Sequence, residues 1–298
     1  GRSMGTYSMG DMDERSISRL MVGRDVIKTV EKKKANPTET ILEVKNLSCI
    51  NEDGKHAVNN INLKVRRGEI LGIAGVEGNG QSEFVECISG MRKDYKGHVS
   101  ILGQCVDKLN IKKIRKAGLS HISEDRMSYG VATEASISDN LISDKLGESM
   151  VGCGPILSSK KISKLSSELV ENFLIKCSSY KQPVSMLSGG NMQKVVVARE
   201  FAREPAVMIA NQPSRGVDVG ATEFIHKKLV EIRDKGSAVL LVSADLNEVM
   251  ELSDSLAVFY GGEVVAYFED SKSVTEEELG YYMLGLSRQS EEQIQRLG

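Results

Sequence analysis

Residues 75–82, with the sequence GVEGNGQS, directly follow an apolar run at residues 70–74. Their glycines fit the phosphate-binding pattern G-x-x-x-x-G-K-[ST], but Gln81 stands where that pattern has lysine. Glycines allow backbone N–H groups to surround phosphates, and the lysine adds a positive charge. Gln81 forms hydrogen bonds without carrying charge, whereas Ser82 keeps the hydroxyl that normally contacts Mg²⁺. The sequence therefore predicts a phosphate loop with a weakened site.

A second run, LSGGN at residues 187–191, precedes a long helix-like stretch. Ser188 is placed to cap a helix that starts at the glycines, so a hydroxyl, bare backbone amides and the positive helix end would face an anion. A plain helix start explains Ser188 but not two glycines before a regular helix. We interpret the whole run as an anion-facing motif. Its members are Leu187, Ser188, Gly189, Gly190 and Asn191.

Two further apolar runs end in neutral residues where charged ones would serve ATP hydrolysis. Residues 207–210 lead into Asn211 and Gln212, where an Asp-Glu pair would hold Mg²⁺ and polarise water. Amides keep the shape of the acids but neither balance a metal's charge nor accept a proton. Residues 240–243 lead into Ala244, where comparable ATPases have a histidine that contacts the γ-phosphate.

The elements around these motifs predict an α/β fold. Four continuous apolar runs suit strands buried on both faces of a mainly parallel sheet, and three helix-like stretches between them suit crossover helices. The apolar runs are residues 70–74, 206–210, 238–242 and 256–260, and the helix-like stretches are residues 81–91, 221–234 and 247–252. Alternating residues 41–44 and 61–65 predict half-exposed antiparallel strands.

Composition shifts divide the remainder of the chain. A polar, helix-like stretch between about residues 123 and 203 is interpreted as an inserted helical subdomain. Charged, proline-containing residues 28–40 predict a linker, and polar residues 287–298 predict a frayed tail.

One internal repeat bears on what precedes the linker. Residues 14–23 and 276–285 place an acid, aliphatic residues, a methionine and a glycine in the same register, which predicts a short helix in each. If each helix closes a similar domain, residues 1–27 are the tail of a preceding domain. Coincidence between two short amphipathic helices is the alternative. Residues 1–4 are interpreted as a cloning remnant.

Bulk composition narrows the class of protein. The net charge of −2 gives no basic face for nucleic acid, and the hydrophobic content of 40% supports a core. No apolar run approaches the roughly 20 residues that span a bilayer, and no signal peptide is expected. Five scattered cysteines indicate reduced cytosolic thiols rather than disulfides or zinc ligands.

The order of these motifs resembles that of an ABC-transporter ATPase domain. Residues 41–286 carry, in sequence, the phosphate loop, the LSGG signature, a Walker-B-like strand, a D-loop with Asp218 and a switch strand. The resemblance implies a RecA-like P-loop ATPase core with an antiparallel β subdomain and an inserted helical subdomain.

Three segments resemble a narrower group, the second ATPase domain of tandem simple-sugar and nucleoside importers. They are residues 74–81, 121–126 and 212–221. Their Asn-Gly-Gln and Gln-Pro variants favour the nucleoside type, and the MVGR at residues 21–24 resembles the end of the first domain in such proteins. We therefore expect a first ATPase domain to precede this one in the same polypeptide.

The resemblance also implies which residues meet ATP and Mg²⁺. In this family two ATPase domains pack head to tail, so that each ATP lies between one phosphate loop and the other domain's signature. The signature would therefore serve the partner's ATP, Asp218 would couple the two sites, and Ser82 would be a weak Mg²⁺ ligand. The chain's own ATP would contact Gly75, Gly78, Asn79, Gly80, Gln81, Ser82 and Glu83.

Departures from an active family member predict a degenerate site with no catalytic residue intact in cis. Gln81 replaces Lys, Asn211 the Mg²⁺-linked Asp, Gln212 the catalytic Glu and Ala244 the switch His, while Glu124 occupies the Q-loop position and Asn51 that of an adenine-stacking aromatic. We expect weak or absent ATPase activity from the isolated chain. Replacement of the lost groups by Arg126 or Lys64 is the alternative.

The function implied by the resemblance is to energise import of a nucleoside or simple sugar from the cytoplasmic face of the membrane. The implied partners are two membrane permease subunits, which would dock near residues 125–144, and an extracytoplasmic substrate-binding protein, with no nucleic acid. A soluble ABC-type ATPase of translation or DNA repair is the alternative, which the absence of neighbouring permease genes would favour. A regulatory module that binds no nucleotide is a third interpretation.

Overall fold

The computed structural model describes Thr6, Val30 and residues 32–51, 53–154 and 156–298. The strands are β1 (Thr40–Ile50), β2 (His56–Arg66), β3 (Ile70–Ala74), β4 (Tyr95–Ile101), β5 (Gln104–Cys105), β6 (Leu119–Ile122), β7 (Gly152–Cys153), β8 (Ile156–Leu157), β9 (Val207–Asn211), β10 (Ala238–Val242), β11 (Ser255–Tyr260) and β12 (Glu263–Phe268). The helix predicted at residues 14–23 and the motif at residues 21–24 lie outside the described residues.

The helices of the described residues alternate with these strands. They are α1 (Gln81–Ser89), α2 (Ile111–Lys116), α3 (Ile137–Ile142), α4 (Ser159–Asn172), α5 (Gly189–Phe201), α6 (Val219–Asp234), α7 (Leu246–Leu252), α8 (Glu276–Met283) and α9 (Glu291–Ile294). A π-helical turn covers Arg126–Gly130, and 3₁₀ turns cover Val184–Met186 and Ser271–Ser273. Each of these helices is too short or too polar to span a bilayer.

A central sheet has the strand order β12-β11-β3-β10-β9-β6, in which β12 alone runs antiparallel to its neighbour. Every residue of β3, β9 and β10 is buried, which confirms the prediction that the apolar runs form a mainly parallel sheet. In β10, Val242 pairs with Ile73 on one side and Asn211 on the other. The carboxyl ends of these strands therefore lie level at one edge.

Alternate residues of the central sheet enter two different cores. Leu240 lies in a cluster with α1 and the antiparallel sheet, whereas Leu241 lies in a cluster with α3, α5 and α6. The antiparallel sheet, of order β2-β1-β4-β5, confirms the alternating strands predicted at residues 41–44 and 61–65. The chain is thus layered, with the sheet covered on both faces.

Helix and strand boundaries depart from the predictions by a few residues. Helix α1 ends at Ser89 rather than residue 91, because Gly90 adopts the left-handed conformation with φ of +78° and closes the helix. The helix-like stretch of residues 123–203 contains α3, α4 and α5, but also the β7–β8 hairpin, which periodicity did not reveal. Strands of two residues are too short to carry a period.

The prediction of a frayed tail at residues 287–298 was wrong. Helix α9 forms within it, and Leu297 is buried against the antiparallel sheet. The Leu297 carbonyl accepts a hydrogen bond from the Lys64 N–H at 2.8 Å, and the Gln289 N–H donates to the Val265 carbonyl at 3.0 Å. Leu297, the partly buried Ile294 and these backbone bonds together hold the polar segment against the domain.

Of the predicted linker, residues 28–40, the described residues 32–39 have no regular secondary structure but are anchored, whereas Thr40 already begins β1. The Lys32 ammonium donates to the carbonyls of Leu252 at 2.8 Å and Ser253 at 2.6 Å, and it pairs with Asp254 at 3.2 Å. Arg233 donates to the Lys33 carbonyl at 3.1 Å. The entry to the domain is therefore held against the end of α7.

Candidate functional site

Four loops meet at the carboxyl edge of the central sheet, because each follows one of its parallel strands. Residues 75–80 follow β3, residues 123–125 follow β6, residues 212–218 follow β9 and residues 243–245 follow β10. In open α/β sheets, ligands bind at this edge. The phosphate loop, the Asn211-Gln212 pair, Ala244 and Glu124 therefore belong to this edge, and a cleft of about 510 Å³ opens beside Ser82.

The phosphate loop has a backbone that only glycine permits at its last turn. Gly80 has φ of +98°, and a Cβ there would lie 2.2 Å from the Ala57 carbonyl oxygen. Asn79 fixes the loop from outside, since its side chain donates to the Val76 carbonyl at 2.9 Å and accepts from the Gly261 N–H at 2.7 Å. The loop thus keeps its shape without a lysine.

Gln81 is directed into the loop rather than towards its open side. Its side chain is buried, and Nε2 donates to the Val76 carbonyl at 3.2 Å. A Cβ at Gly75 would meet the same Nε2 at 2.4 Å, so the amide packs beneath the loop. The amide therefore satisfies a loop carbonyl and adds no positive charge for a phosphate.

A chain of polar contacts joins the start of α1 to two neighbouring loops. The Ser82 hydroxyl donates to Glu124 at 3.2 Å, and Glu124 also accepts a hydrogen bond from Arg215. Arg215 lies 3.7 Å from a carboxylate oxygen of Glu77 in the phosphate loop. The sequence predicted Glu124 in the site but missed Arg215, which follows the Gln-Pro pair in a segment without apolar periodicity.

The neutral pair after β9 contacts the neutral residue after β10. Asn211 is buried at the end of β9, and the Gln212 N–H donates to the Val242 carbonyl at 2.7 Å. The Gln212 side-chain oxygen accepts from the Ala244 N–H at 3.1 Å. The structure therefore places Asn211, Gln212 and Ala244 at neighbouring strand ends, and the Gln212 side chain bonds to backbone.

A buried pair lies behind these loops and ties together the helices that follow them. His226 of α6 contacts Glu248 of α7 at 2.7 Å between Nε2 and Oε1. Burial raises the pKa of Glu248, but hydrogen bonds from His226 and Ser243 outweigh it and leave the pKa below its usual value. This buried contact therefore joins α6, which follows the loop after β9, to α7, which follows the loop after β10.

The LSGGN motif forms a capped helix start, as the sequence predicted. Ser188 is the N-cap of α5, and its hydroxyl accepts from the Asn191 N–H at 3.4 Å and the Asn191 side-chain amide at 2.9 Å. A Cβ at Gly190 would approach Asp218 to 2.8 Å, and Asp218 itself caps α6. The signature glycines and Asp218 are therefore neighbours.

Arg126 holds the loop after β9 in place. Its guanidinium donates to the Arg215 carbonyl at 2.5 Å and the Gly216 carbonyl at 3.1 Å. Asp125 positions it by capping the π-helical turn with bonds from the Met127 and Ser128 N–H groups, and hydrogen bonds with Ser128 lower the pKa of Asp125. Arg126 is thus engaged with backbone and does not replace the missing lysine.

Three other residues that the sequence suggested for the nucleotide site are Asn51, Lys64 and Glu83. Asn51 caps the turn between β1 and β2 by accepting from the N–H groups of Asp53 at 3.1 Å and Lys55 at 2.9 Å. Lys64 lies in β2 with Glu43 as its ion-pair partner and does not line the cleft, so it does not replace the lysine. Glu83 is half-buried in the first turn of α1.

His121 lines the cleft from β6 as a neutral group. Its Nε2 is buried and has no hydrogen-bond partner among the described residues. Burial lowers the pKa of His121 to about 4, although the carboxylate of Glu200 acts in the opposite direction. The positive charge of this cleft near neutral pH therefore comes from its arginines.

We expect the stability of the chain to fall as the pH drops from 6.5 towards 5, since unfolding releases His121 from a pKa of about 4 to its ordinary 6.5. In that window the unfolded state binds more protons than the folded state, which lowers the free energy of unfolding. Thermal unfolding followed between pH 7.5 and 5 measures this slope. His121→Gln should flatten it, and His56→Gln, at an exposed position, should not. Equal slopes in all three proteins would contradict the assignment.

Comparisons with known proteins agree with this geometry. The family model described as ABC transporter matches residues 58–215, more than half of the chain. Guanosine import ATP-binding protein NupO of Bacillus subtilis (strain 168) is 37% identical over 285 residues, which are 96% of this chain and 56% of NupO. Nucleoside import ATP-binding protein NupA of Lactococcus lactis subsp. cremoris (strain MG1363) is 36% identical with the same coverage. The chain spans about half the length of these curated relatives.

Solved structures support the fold alone. An ATP-binding cassette of an ABC transporter in its ADP conformation superposes with a TM-score of 0.65 at 22% identity, covering 83% of this chain and 96% of that one. A dimeric bacterial ABC transporter cassette gives 0.66 at 21% identity, covering 76% and 97%. The predicted α/β ATPase architecture with its antiparallel sheet is thereby confirmed, and the chain belongs to the ABC transporter family.

Proposed function

We propose that this chain is the second ATPase domain of a tandem ABC importer for a nucleoside or simple sugar. Relatives named as guanosine and nucleoside importers match 96% of the chain, which covers only 56% of their length, and this supports a further domain in the same polypeptide. We place the domain at residues 41–286, with its helical subdomain at about residues 123–203. The peripheral location on the cytoplasmic face of the membrane follows from this assignment.

One observation carries the proposal. The positions that would hold charged or catalytic groups for ATP are neutral, whereas the LSGGN signature still forms a capped helix start. The neutral residues are Gln81, Asn211, Gln212 and Ala244. The side-chain amides of Gln81 and Gln212 form hydrogen bonds with backbone groups. Ser188 meanwhile caps the start of α5, where Gly189 lies beside Arg126 and Gly190 beside Asp218. This combination suits a domain that binds nucleotide weakly itself and completes the active site of its partner.

The residues present fit the phosphates of a nucleotide better than they fit a metal ion. The loop glycines leave room for phosphate oxygens, and the first turn of α1 offers its N–H groups to them. Ser82 and Asn211 would hold Mg²⁺, which would neutralise phosphate charge, but both are uncharged ligands. No group of three or more His, Cys, Asp and Glu that could hold a metal occurs among the described residues.

The proposed partners are the first ATPase domain, two permease subunits and an extracytoplasmic substrate-binding protein. Around the cleft, Met91, Met127 and Tyr129 are exposed apolar side chains close to the turn after β6. They lie at the junction of the sheet and the helical stretch, where we expect the permease to dock. The transported solute would meet the other subunits rather than this chain.

The turnover of Mg-ATP by the 298-residue chain, measured across a range of protein concentrations, tests the proposal. We expect no turnover above background, because Gln212 cannot act as a base and Gln81 brings no charge to the phosphates. The assembled tandem protein, purified with its permease, should turn over ATP in the same assay and is the control. Turnover that rises with the square of chain concentration would show that two copies form competent sites, which would overturn the degenerate assignment.

A further inference from the structure

The nucleotide site of this chain lacks the cation that its phosphate loop would normally carry. Gln81 replaces the lysine and lies beneath the loop. A polyphosphate in a partly closed site needs positive charge nearby, because burying unpaired negative charge is costly. The described residues that line the adjacent cleft include two arginines, Arg126 and Arg215. Since Arg126 is bonded to carbonyl groups, Arg215 is the cation with a side chain free to change partners.

Arg215 has an anchored backbone and a half-exposed side chain. Its N–H donates to the Gln212 carbonyl at 3.1 Å, and its carbonyl accepts from Arg126 at 2.5 Å. The guanidinium, by contrast, is 54% exposed, and among the described residues it forms ion pairs with the carboxylates of Glu124 and Glu77. A surface ion pair of this exposure contributes about 0–1 kcal/mol to stability. Breaking the ion pairs of Arg215 would therefore cost the folded chain little stability.

The two carboxylates place Arg215 at the mouth of the phosphate loop. Glu77 belongs to the loop itself and lies 3.7 Å from the guanidinium. Glu124 contacts the guanidinium with one oxygen and accepts from the Ser82 hydroxyl, at 3.2 Å, with the other. The Arg215 guanidinium is thus linked to Ser82, at the start of α1, through the Glu124 carboxylate, and it lies beside Glu77 of the phosphate loop.

The Glu124 carboxylate is an anion bound between the Ser82 hydroxyl and the Arg215 guanidinium. A phosphate group could bind the same two donors. A hydroxyl at the start of a helix and a guanidinium fork are both common phosphate ligands, and the fork can bind two oxygens at once. A triphosphate carries more negative charge than one carboxylate. It would therefore compete with Glu124 for both Ser82 and Arg215.

We propose that Arg215 is the phosphate-binding cation of this chain's own nucleotide site, held in place by Glu124 until a nucleotide displaces that carboxylate. The inference rests on the proposal that the degenerate site still binds nucleotide. It assigns to the loop after β9 the charge that the phosphate loop has lost. A site without its lysine would thereby keep one cation for a polyphosphate.

Calorimetric binding of ATP and AMP to the 298-residue chain, in EDTA and in Mg²⁺, tests the inference. Arg215→Ala should weaken ATP binding by about tenfold, the scale of one charge-assisted hydrogen bond, and leave AMP binding nearly unchanged. Arg215→Lys should recover part of the loss, because it restores the charge without the fork. Glu124→Gln should tighten ATP binding, because the competing anion is removed.

Arg288→Ala is the matched control, since Arg288 is 51% exposed and pairs with Glu263 away from the cleft. It should leave both affinities as in the parent chain. An unchanged ratio of ATP to AMP affinity in Arg215→Ala, weaker ATP binding in Glu124→Gln, or no ATP binding by the parent chain would each overturn the inference. None of these results touches the role proposed for the signature, which is measured at the partner's site.

Discussion

Arginine in place of Ser188 is expected to lower the ATPase activity of the full tandem protein by about 10²- to 10³-fold. Ser188 begins α5 and presents its hydroxyl, the following backbone amides and the positive helix end at one surface. A long cationic side chain there would obstruct the approach of the partner's γ-phosphate and remove the cap. Steady-state ATP hydrolysis by the assembled protein measures the effect.

Ser158→Arg is the control for the loss of a helix cap. Ser158 is the N-cap of α4, and its hydroxyl accepts from the Lys161 N–H at 3.5 Å, so the substitution removes a comparable cap away from the sheet edge. Losing such a cap costs about 1 kcal/mol of stability and should leave the turnover number unchanged. Near-normal activity in Ser188→Arg would show that this signature does not serve the competent site.

The second large effect is expected at Gly80, where alanine should disrupt the phosphate loop. The residue combines φ of +98° with a Cβ position 2.2 Å from the Ala57 carbonyl oxygen, so both the backbone and its neighbour must move. Strain of this kind together with a steric clash should lower the free energy of unfolding by about 3 kcal/mol. Chemical denaturation measures that change, and calorimetry should show the loss of ATP binding.

Gly78→Ala separates backbone strain from the clash. Gly78 has φ of +91°, but a Cβ there would meet nothing within 4 Å. Gly78→Ala should lower the free energy of unfolding by about 1–2 kcal/mol, the cost of the left-handed backbone conformation alone, and should retain the loop. Equal destabilisation of the two variants would mean that the contact with Ala57 does not shape the loop.

Some features of this chain are predictable from its sequence because they depend on local chemistry. The phosphate loop and the LSGGN run were recognisable because each depends on local backbone chemistry, namely glycine at strained positions and a serine at a helix start. The buried strands were recognisable for a related reason, since a strand covered on both faces is apolar throughout. These features require few residues that are distant in sequence.

The role of charged residues was harder to predict. The sequence left open that Arg126 or Lys64 replaces the lost groups, yet Lys64 lies on the antiparallel sheet and Arg126 binds backbone carbonyls. Arg215 is not among the site residues that the sequence predicts, because its place in the site depends on Glu124, which lies 91 positions away. Long charged side chains adopt many conformations, so their partners depend on which loops the fold brings together.

The C-terminal segment shows the same limit. Residues 287–298 are polar enough to predict fraying, and only the surface presented by β2 and β12 gives Leu297 and the backbone of Gln289 a place to bind.

The sequence by itself determined the family, the order of the motifs, the parallel sheet and the absence of charge at Gln81, Asn211 and Gln212, because these follow from residue type and short-range spacing. Only the tertiary structure decided where those amides direct their hydrogen bonds and which arginine lies beside the phosphate loop. The physical reason is that the strand register, with Val242 level with Ile73 and Asn211, brings distant loops to one edge. No local pattern encodes that alignment.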